Sequence, residues 1–382
     1  MILGVNGIRL IGKRSGVGRA IEAILRCLGE LEHPFDDVRV YTPEPLDPDV
    51  YLPACARNVV LPSPLPKAVW EQFVMPAAHG TKDVLLCPSY VAPVTATCPI
   101  MLIHHGSYEA YPQAFSWWEL NKARAIYGLS AWRANALSTV SACSKRDMVR
   151  FYGVKPEKIS VIPEGVDTQL FRPIEDRARL SAFRLRVFGA DVPFICYVGK
   201  PTERRNITAL IQAFARLKRE KGIPHKLLLA GAALPGDSPF RRIIDEEQVT
   251  NEVVALSYIN HDDMVLAYNA SDLLAYPSSY EGFGMPVLEA MACGTPALAL
   301  TGTVPAEFAD GLAVLLPSAA VGTLMTGIET ALTDGVARER MMTEGPKRAA
   351  AYDWHNVTQQ YLQLMIPLAV REPAPYSQIA GR

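Results

Sequence analysis

Short apolar runs alternate along the whole chain with stretches whose apolar residues recur at helical spacing. Between residues 18 and 29, for example, the apolar side chains would share one face of a helix. The runs of strand length in the first part of the chain are residues 1–5, 38–42, 84–87, 100–104, 136–140 and 159–162. Such alternation predicts βαβ units built around a parallel sheet.

A second series of the same kind starts near residue 193. Its predicted strands are residues 194–198, 227–230, 253–256, 273–276, 297–300 and 313–315, with helices over 209–218 and 285–292. Residues 167–179 contain a proline and several charges, which is typical of a linker. The chain is therefore predicted to be an α/β protein with two doubly wound, Rossmann-like domains, 1–172 and 173–351, and a C-terminal helix over residues 352–370. Ligands of open α/β sheets bind at the carboxyl ends of the strands, so two such domains would face each other across a cleft.

Composition narrows the class of protein without changing this architecture. The 382 residues are 49% hydrophobic, which suits two packed cores, and the formal net charge of −1 gives no global field for nucleic acid. The cysteines are scattered without a CxxC pair, which favours a reducing compartment and argues against a structural zinc site. No signal peptide and no membrane span are expected, so the protein is predicted to be cytoplasmic, with peripheral contact at the inner membrane face left open.

One segment near residue 280 carries the strongest chemical signal. A strand-like run precedes Glu281, Gly282 and Gly284 form a loop, and an apolar helix begins at Met285. A strand, a Gly-rich loop and a helix N-terminus in this order form a seat for a phosphate. Glu281 and Glu289 flank that seat and would suit the hydroxyl groups of a nucleotide-sugar. The alternative is that Glu289 only stabilises the first helical turn and Glu281 is simply solvated.

Two further loops follow the predicted first strand of each domain. Gly16 and Gly18 open the first helix and could approach an anion, although a plain tight turn explains them equally well. Ile21 stands where a dinucleotide fingerprint needs glycine, and no acid ends the second strand, so NAD is rejected. In the second domain, three cations flank a strand end, where they could clamp a leaving diphosphate: Lys200, Arg204 and Arg205. A solvated basic loop is the alternative.

The remaining candidates lie in the first domain. His104 ends a predicted strand and would hydrogen-bond a polar ligand there, although a structural histidine competes evenly with this role. No metal-ligand spacing such as HExxH accompanies it, so no metal site is predicted. An aromatic and basic region could stack on a sugar or contact a lipid headgroup, but we expect it to be core. Its members are Trp117, Trp118, Tyr127, Trp132 and Arg133.

Taken together, these sites resemble the retaining glycosyltransferases of family 4, which have the two-domain GT-B fold. Residues 270–278, followed by 281–296, resemble the family's Glu-x7-Glu signature. Residues 151–154 and 158–167 resemble its inter-domain segment, and residues 16–19 its first glycine loop. The helix starting near Tyr352 resembles the C-terminal helix that crosses back onto the first domain. The resemblance covers most of the chain.

The resemblance implies a role for each candidate. Lys200 and Arg205 would hold the pyrophosphate, Glu281 would contact sugar hydroxyls, and His104 would lie against the donor sugar. Glu289 would bind the ribose hydroxyls. The other donor-binding residues that the resemblance implies are Gly16, Gly18, Tyr258, Ile259, Gly282, Phe283, Gly284, Met285, Pro286 and Val287, with Tyr258 and Ile259 at the nucleobase.

The chain departs from the family pattern at several positions. Lys200 precedes Arg205 where Arg followed by Lys is common, so the charge is kept but the geometry differs. His105 stands where an aspartate is common, and Glu307 lies one place later than the usual glutamate. None of these changes removes the central group of residues, so an active enzyme is expected.

The implied reaction is transfer of a hexose, with retention, from a nucleotide-diphosphate sugar to a glycan, glycolipid or small-molecule acceptor in polysaccharide or glycoconjugate biosynthesis. No cofactor and no metal are expected, since no acidic DxD-like site is evident. Residues 103–112 resemble bacterial mannosyl- and related polysaccharide transferases, so GDP-mannose is the first predicted donor and a UDP-hexose the second. The alternatives are a nucleotide-sugar epimerase on the same fold and a decayed nucleotide-sugar-binding protein.

Overall fold

The computed structural model describes residues 1–12, 16–106, 112 and 116–370. The chain forms two compact units, one of Met1–Gly165 with the C-terminal segment from Trp354, the other of Val166–Asp353. The predicted break near residue 172 falls within the second unit. No helix in the described part of the chain combines the length and the apolarity that crossing a bilayer requires.

The first unit is built on a seven-stranded parallel sheet, as the alternating pattern predicts. Its strands are Ile2–Asn6 (β1), Asp37–Thr42 (β2), Ala56–Val60 (β3), Val84–Cys87 (β4), Ile100–His104 (β5), Ala136–Thr139 (β6) and Ile159–Val161 (β7). Its helices are Gly16–Leu28 (α1), Lys67–Val69 (α2), Met75–His79 (α3), Trp117–Arg133 (α4) and Ala142–Tyr152 (α5), with a π-helical turn over Trp70–Val74.

The C-terminal helix, Trp354–Val370 (named α14 from its place in the chain order), packs against α1 on this first sheet. Val357, Tyr361 and Met365 of this helix lie in one core cluster with Leu3 and Val5 of β1. The helix therefore belongs to the first unit although it follows the second in the sequence, as the resemblance implies.

The second unit is built on a six-stranded parallel sheet. Its strands are Phe194–Val198 (β8), Lys226–Ala230 (β9), Val253–Leu256 (β10), Leu273–Ala275 (β11), Ala297–Leu300 (β12) and Val314–Leu316 (β13). Its helices are Arg177–Phe188 (α6), Ile207–Lys221 (α7), Pro239–Glu246 (α8), His261–Ala270 (α9), Met285–Ala292 (α10), Val304–Phe308 (α11), Val321–Thr333 (α12) and Gly335–Ala350 (α13). Strands β8, β11 and β12 are buried along their whole length, which explains their continuous apolar runs.

The strand order places a crevice in each sheet. The first sheet runs β3-β2-β1-β4-β5-β6-β7 and the second β10-β9-β8-β11-β12-β13. The order reverses between β1 and β4, and again between β8 and β11. Doubly wound sheets bind ligands at the carboxyl ends of the strands at such a reversal. In the second unit, the loops that meet there follow Val198 and Ala275.

Candidate functional site

The loop after β8 brings an arginine back onto its own strand end. Gly199 has a backbone φ of +132°, a region that side chains rarely adopt. A Cβ at this position would lie 2.1 Å from Nη1 of Arg205. Glycine therefore leaves the space that the guanidinium occupies, and the loop holds Arg205 over the carboxyl end of the sheet.

Glu281, in the loop after β11, is the partner of that arginine. Nε of Arg205 donates to Oε1 of Glu281 at 2.8 Å, and Nη1 of Arg204 approaches the same oxygen at 2.9 Å. The hydroxyl of Ser278 also donates to Oε1, at 3.0 Å. The Glu281 side chain is only 11% exposed. The loops after β8 and β11 thus meet in a buried ion-pair cluster at the reversal point, formed by Arg204, Arg205 and Glu281.

The electrostatics of this cluster favour the charged forms. Burial alone would raise the pKa of Glu281, but Arg205 and Arg204 outweigh it and hold that pKa below its usual value. Burial would likewise lower the pKa of Arg205, but the neighbouring Tyr276 and Glu281 raise it. The cluster therefore carries two guanidinium groups and one carboxylate, and one positive charge remains for an anionic ligand.

The family resemblance gave a role to Lys200 and Arg205 among the three cations of this loop, whereas the ion-pair cluster contains Arg204 and Arg205. Arg204 also donates to the carbonyl of Tyr280, so it ties the two loops together. The ammonium of Lys200 is exposed, whereas its carbonyl accepts from the Tyr197 hydroxyl and from Nη1 of Arg205. Arg204 and Arg205 therefore share Glu281, whereas Lys200 contributes its backbone carbonyl, and the contact of its ammonium with a diphosphate stays a prediction. The adjacent arginines in the basic loop were the available signal.

The glycine-rich loop leads into α10 as the strand–loop–helix pattern predicts. Gly284 has a φ of +105°, and a Cβ there would lie 2.6 Å from Cγ of Pro305. The ring of Phe283 stacks on Phe308 with centroids 5.0 Å apart, and Val287 is fully buried. Phe283 and Val287 therefore have their side chains in the core, so any ligand contact from them would come through the backbone.

The first turn of α10 offers few backbone donors. Pro286 has no N–H, and the N–H of Val287 donates to the Gly284 carbonyl at 3.0 Å. Gly282, Met285 and Pro286 are half-buried. The predicted phosphate seat is thus shaped by the loop and its glycines more than by the helix end.

Glu289 lies deeper in α10 than the sequence suggested. It follows the first turn rather than belonging to it, so the prediction of a first-turn carboxylate is wrong. The side chain is buried and accepts a hydrogen bond from the Tyr268 hydroxyl at 2.6 Å. A role limited to stabilising the helix dipole at the surface is therefore excluded, and the ribose contact stays a prediction.

The segment predicted to carry the nucleobase follows β10. Tyr258 is 80% exposed, whereas Ile259 is buried. A cavity of about 530 Å³ opens at the carboxyl ends of β9 and β10. Ala232, Leu234, Arg241 and Ser257 are among the residues that line it. Apolar walls with a few polar groups suit a planar ring.

In the first unit, His104 ends β5 and is fully buried. The rings of Tyr90, Tyr127 and Tyr152 approach it edge-on, with centroids 5.0 to 5.6 Å away. Burial and the neighbouring His105 lower the pKa of His104 to about 3, so the imidazole is neutral near pH 7. Within the described residues neither ring nitrogen has a hydrogen-bond partner. Contact with a sugar would require the surrounding chain to open, and it stays a prediction.

The glycines of the first loop occupy two environments. Gly16 begins α1 at an exposed position, and a Cβ there would meet nothing within 4 Å. Gly18 is buried in the same helix. Residues 13–15, which complete the predicted loop, lie outside the described residues, as do most of residues 107–115 in the segment used to predict the donor.

The aromatic region was predicted to be core, and this is wrong for its tryptophans. Trp117, Trp118 and Trp132 on α4 are 65%, 76% and 75% exposed. The buried residues of α4 are Ala123, Ser130 and Ala131. Helix α4 therefore packs through small residues, and its large aromatic rings point to solvent. The number of apolar residues in the sequence does not show which of them are buried.

Two family models together match most of the chain. The model described as Glycosyltransferase Family 4 matches residues 14–170, and the one described as Glycosyl transferases group 1 matches residues 184–348. The second match includes Lys200, Arg205, Glu281 and Glu289.

The chain belongs to glycosyltransferase family 4.

Curated relatives of this family 4 chain share about three residues in ten with it. An MMP α-(1→4)-mannosyltransferase of Mycolicibacterium hassiacum is 28% identical over 68% of this chain and 63% of its own length. A D-inositol 3-phosphate glycosyltransferase of Mycobacterium tuberculosis is 31% identical over 57% of this chain and 45% of its own length. The chain thus spans between about half and two thirds of the length of these relatives.

Solved structures of glycosyltransferases share the fold over nearly the whole chain. Sucrose-phosphate synthase from Thermosynechococcus elongatus matches with a TM-score of 0.75 at 21% identity, covering 96% of this chain and 98% of its own. Anabaena HepE in complex with UDP-glucose matches with a TM-score of 0.76 at 19% identity, covering 96% and 99%. These matches confirm the predicted GT-B architecture of this family 4 protein.

No metal centre accompanies these residues in the part of the family 4 chain that the structure describes. There, no three or more His, Cys, Asp or Glu side chains are arranged to hold a metal ion. The metal independence of the reaction stays a prediction.

Proposed function

We propose that this family 4 protein transfers a hexose, with retention, from a nucleotide-diphosphate sugar to a glycan, lipid-linked or small-molecule acceptor. The observation that supports it most is the cluster of Arg204, Arg205 and Glu281 at the reversal point of the second sheet. GDP-mannose is the first proposed donor and a UDP-hexose the second. The mannosyltransferase among the relatives supports the first, and HepE, with UDP-glucose bound, supports the second.

The proposed chemistry follows from charge. Breaking the bond between the anomeric carbon and the diphosphate leaves negative charge on the departing phosphate. A preorganised guanidinium in a buried setting stabilises such charge without reorganising in the transition state. Arg205 would supply this, Glu281 would keep it oriented, and Lys200 would add a second, solvated cation. In a transfer that retains the anomeric configuration, the acceptor hydroxyl attacks from the face that the phosphate leaves. An oxygen of the departing phosphate takes the proton of that hydroxyl.

Purified protein is expected to release GDP from GDP-mannose, and to a lesser degree UDP from UDP-hexoses, only when a glycan, lipid-linked or small-molecule acceptor is supplied. Released nucleotide and product mass measure the reaction, and thermal shifts with each nucleotide-sugar rank the donors.

The same reaction in EDTA is expected to keep its rate. Loss of activity in EDTA with rescue by Mn²⁺ would contradict the metal-free proposal. An epimer formed from donor alone would establish the isomerase alternative instead.

We also propose that the first unit contacts an anionic membrane surface through one face of α4. Five exposed residues at helical spacing form this face, which we call the α4 face: Trp118, Lys122, Ala125, Leu129 and Trp132. Tryptophan favours the interface between water and acyl chains, and a lysine among the rings can reach lipid phosphates. The helix carries three basic residues and one acidic residue, so its charge also suits an anionic surface.

The position of Lys122 within the α4 face disfavours self-association through that face. Docking two copies antiparallel about Ala125, the midpoint of the stripe, would set Lys122 against Leu129 of a second copy. An ammonium pressed against an apolar side chain loses its hydration without gaining a partner. At a bilayer surface the same ammonium keeps water and phosphate around it.

Sedimentation with vesicles tests this surface. The double variant Trp118→Ala/Trp132→Ala is expected to bind phosphatidylcholine vesicles containing phosphatidylglycerol at least about tenfold more weakly, a loss of roughly 1.4 kcal/mol. Val336→Ala/Met342→Ala, which removes exposed apolar side chains from α13, is the matched control and should bind like the wild type. Equal binding by both double variants, or no preference for anionic vesicles, would exclude the α4 face.

A further inference from the structure

A buried histidine that the proposed chemistry does not use links three strand ends of the first unit. His105 directly follows β5. Its Nδ1 lies 2.7 Å from Oε1 of Glu164, and its Nε2 lies 2.8 Å from the carbonyl oxygen of Pro88. Pro88 follows β4, and Glu164 lies in the segment after β7. The side chains of His105 and Glu164 are almost entirely removed from solvent.

The two partners of this histidine are both acceptors. A neutral imidazole has one N–H donor and one lone pair, so either tautomer would set a nitrogen lone pair against an oxygen at hydrogen-bond distance. Only the imidazolium donates from both nitrogens. Its charge is then balanced by the Glu164 carboxylate, which satisfies the rule that buried charges are paired.

We infer that His105 is held as an imidazolium by Glu164 and Pro88 and acts as a positioning residue, fixing the end of β5, and with it His104, for the proposed glycosyl transfer. Only the positioning of His104 for glycosyl transfer rests on the proposed function. The charged state and the three-strand link follow from the contacts alone.

The other charged and titratable groups around the pair are consistent with this state. Burial lowers the pKa of His105, but the charge and hydrogen bond of Glu164 more than compensate and leave it raised. Arg9 opposes protonation more weakly, and His104 is neutral. Tyr361 on α14 lies close enough to feel the charge of Glu164, and burial followed by that charge raises the pKa of Tyr361, so its hydroxyl stays uncharged.

The raised pKa of His105 determines how the stability of the first unit should change with pH. A group whose pKa is higher in the folded state stabilises the fold below its unfolded pKa, and this contribution is lost as the pH rises through the folded value. The contribution of this link is therefore full below the ordinary histidine pKa of about 6.5 and is lost as the pH rises through the raised pKa of His105. His104 itself does not titrate in that range.

Side-chain nitrogen NMR of the protein tests the charged state of His105 without an activity assay. The ring nitrogens of His105 are expected to keep the imidazolium signature at pH values above the ordinary histidine pKa of about 6.5, and Glu164→Gln is expected to lower the midpoint by about one pH unit or more. A neutral ring in the wild type at pH 6.5 overturns the inference, even if no variant folds.

Kinetics test the positioning role. In Glu164→Gln the alkaline limb of the pH profile of kcat should move to lower pH by as much as the NMR midpoint of His105 does. The KM for the donor should change less than kcat. His355→Gln is the matched control, because His355 pairs with Glu30 at an exposed site, and it should leave the profile unchanged. A Glu164→Gln profile like the wild type overturns the positioning role. If NMR shows the imidazolium but the protein transfers no sugar, the proposed function fails while the charged link stands.

Discussion

Replacing Arg205 by alanine is expected to lower kcat/KM for the nucleotide-sugar reaction by about a hundredfold or more, since one preorganised charge contact is worth roughly 3 kcal/mol. The physical reason is the placement of the guanidinium at the reversal point of the second sheet, held there by Glu281 and by the space above Gly199. Rates of nucleotide release with a fixed donor and acceptor measure the effect.

Three further variants make this result specific. Arg205→Lys keeps the charge but loses the planar fork, so it should recover only part of the rate. Lys200→Ala tests the second predicted cation in the same assay. Arg219→Ala is the matched control, because Arg219 pairs with Glu247 on the surface of α7, and it should behave like the wild type. If Arg205→Ala and Arg219→Ala have equal rates, the cluster is structural and the proposed donor site is wrong.

The hydrophobic pattern predicted the architecture because both sheets are parallel and their central strands are buried. β4, β5, β8, β10 and β12 begin and end where the apolar runs do. β3 escaped prediction because Arg57 and Asn58 interrupt its apolar pattern, whereas the other edge strands, β7, β10 and β13, have apolar runs. A strand without a continuous apolar run can be recognised only from its pairing with a neighbour, which for β3 is β2.

The individual residues of the candidate site could be predicted from the sequence, but the ion pairs between them could not. Glu281 and Arg205 were found from their loops, yet their ion pair depends on β8 and β11 being neighbours. The alternation of elements along the chain does not give that strand order. The same limit applies to His105 and Glu164, which meet across a long stretch of sequence. Arg204 was one of the three cations found in the basic loop, but the family resemblance gave a role only to Lys200 and Arg205.

Replacing Glu281 by alanine is expected to lower the free energy of unfolding by about 3 kcal/mol or more, because removing one partner of a buried ion pair leaves an uncompensated charge. Here the charges left behind are those of Arg205 and Arg204. Urea titration followed by far-UV circular dichroism measures the effect. All the tryptophans, at positions 70, 117, 118, 132 and 354, lie in the first unit, so their fluorescence reports that unit as a reference.

The pH dependence separates this ion pair from a loss of packing. A carboxylate whose pKa is lowered by folding stabilises the protein above its unfolded pKa, and that contribution is lost as the pH falls through the folded value. The gap in stability between the wild type and the nearly isosteric Glu281→Gln should therefore be full at pH 7 and narrow below about pH 4.3, the ordinary glutamate pKa. Glu247→Gln, which alters an exposed pair, should show a small gap throughout. A gap for Glu281→Gln that did not change with pH would mean that shape rather than charge holds the two loops together.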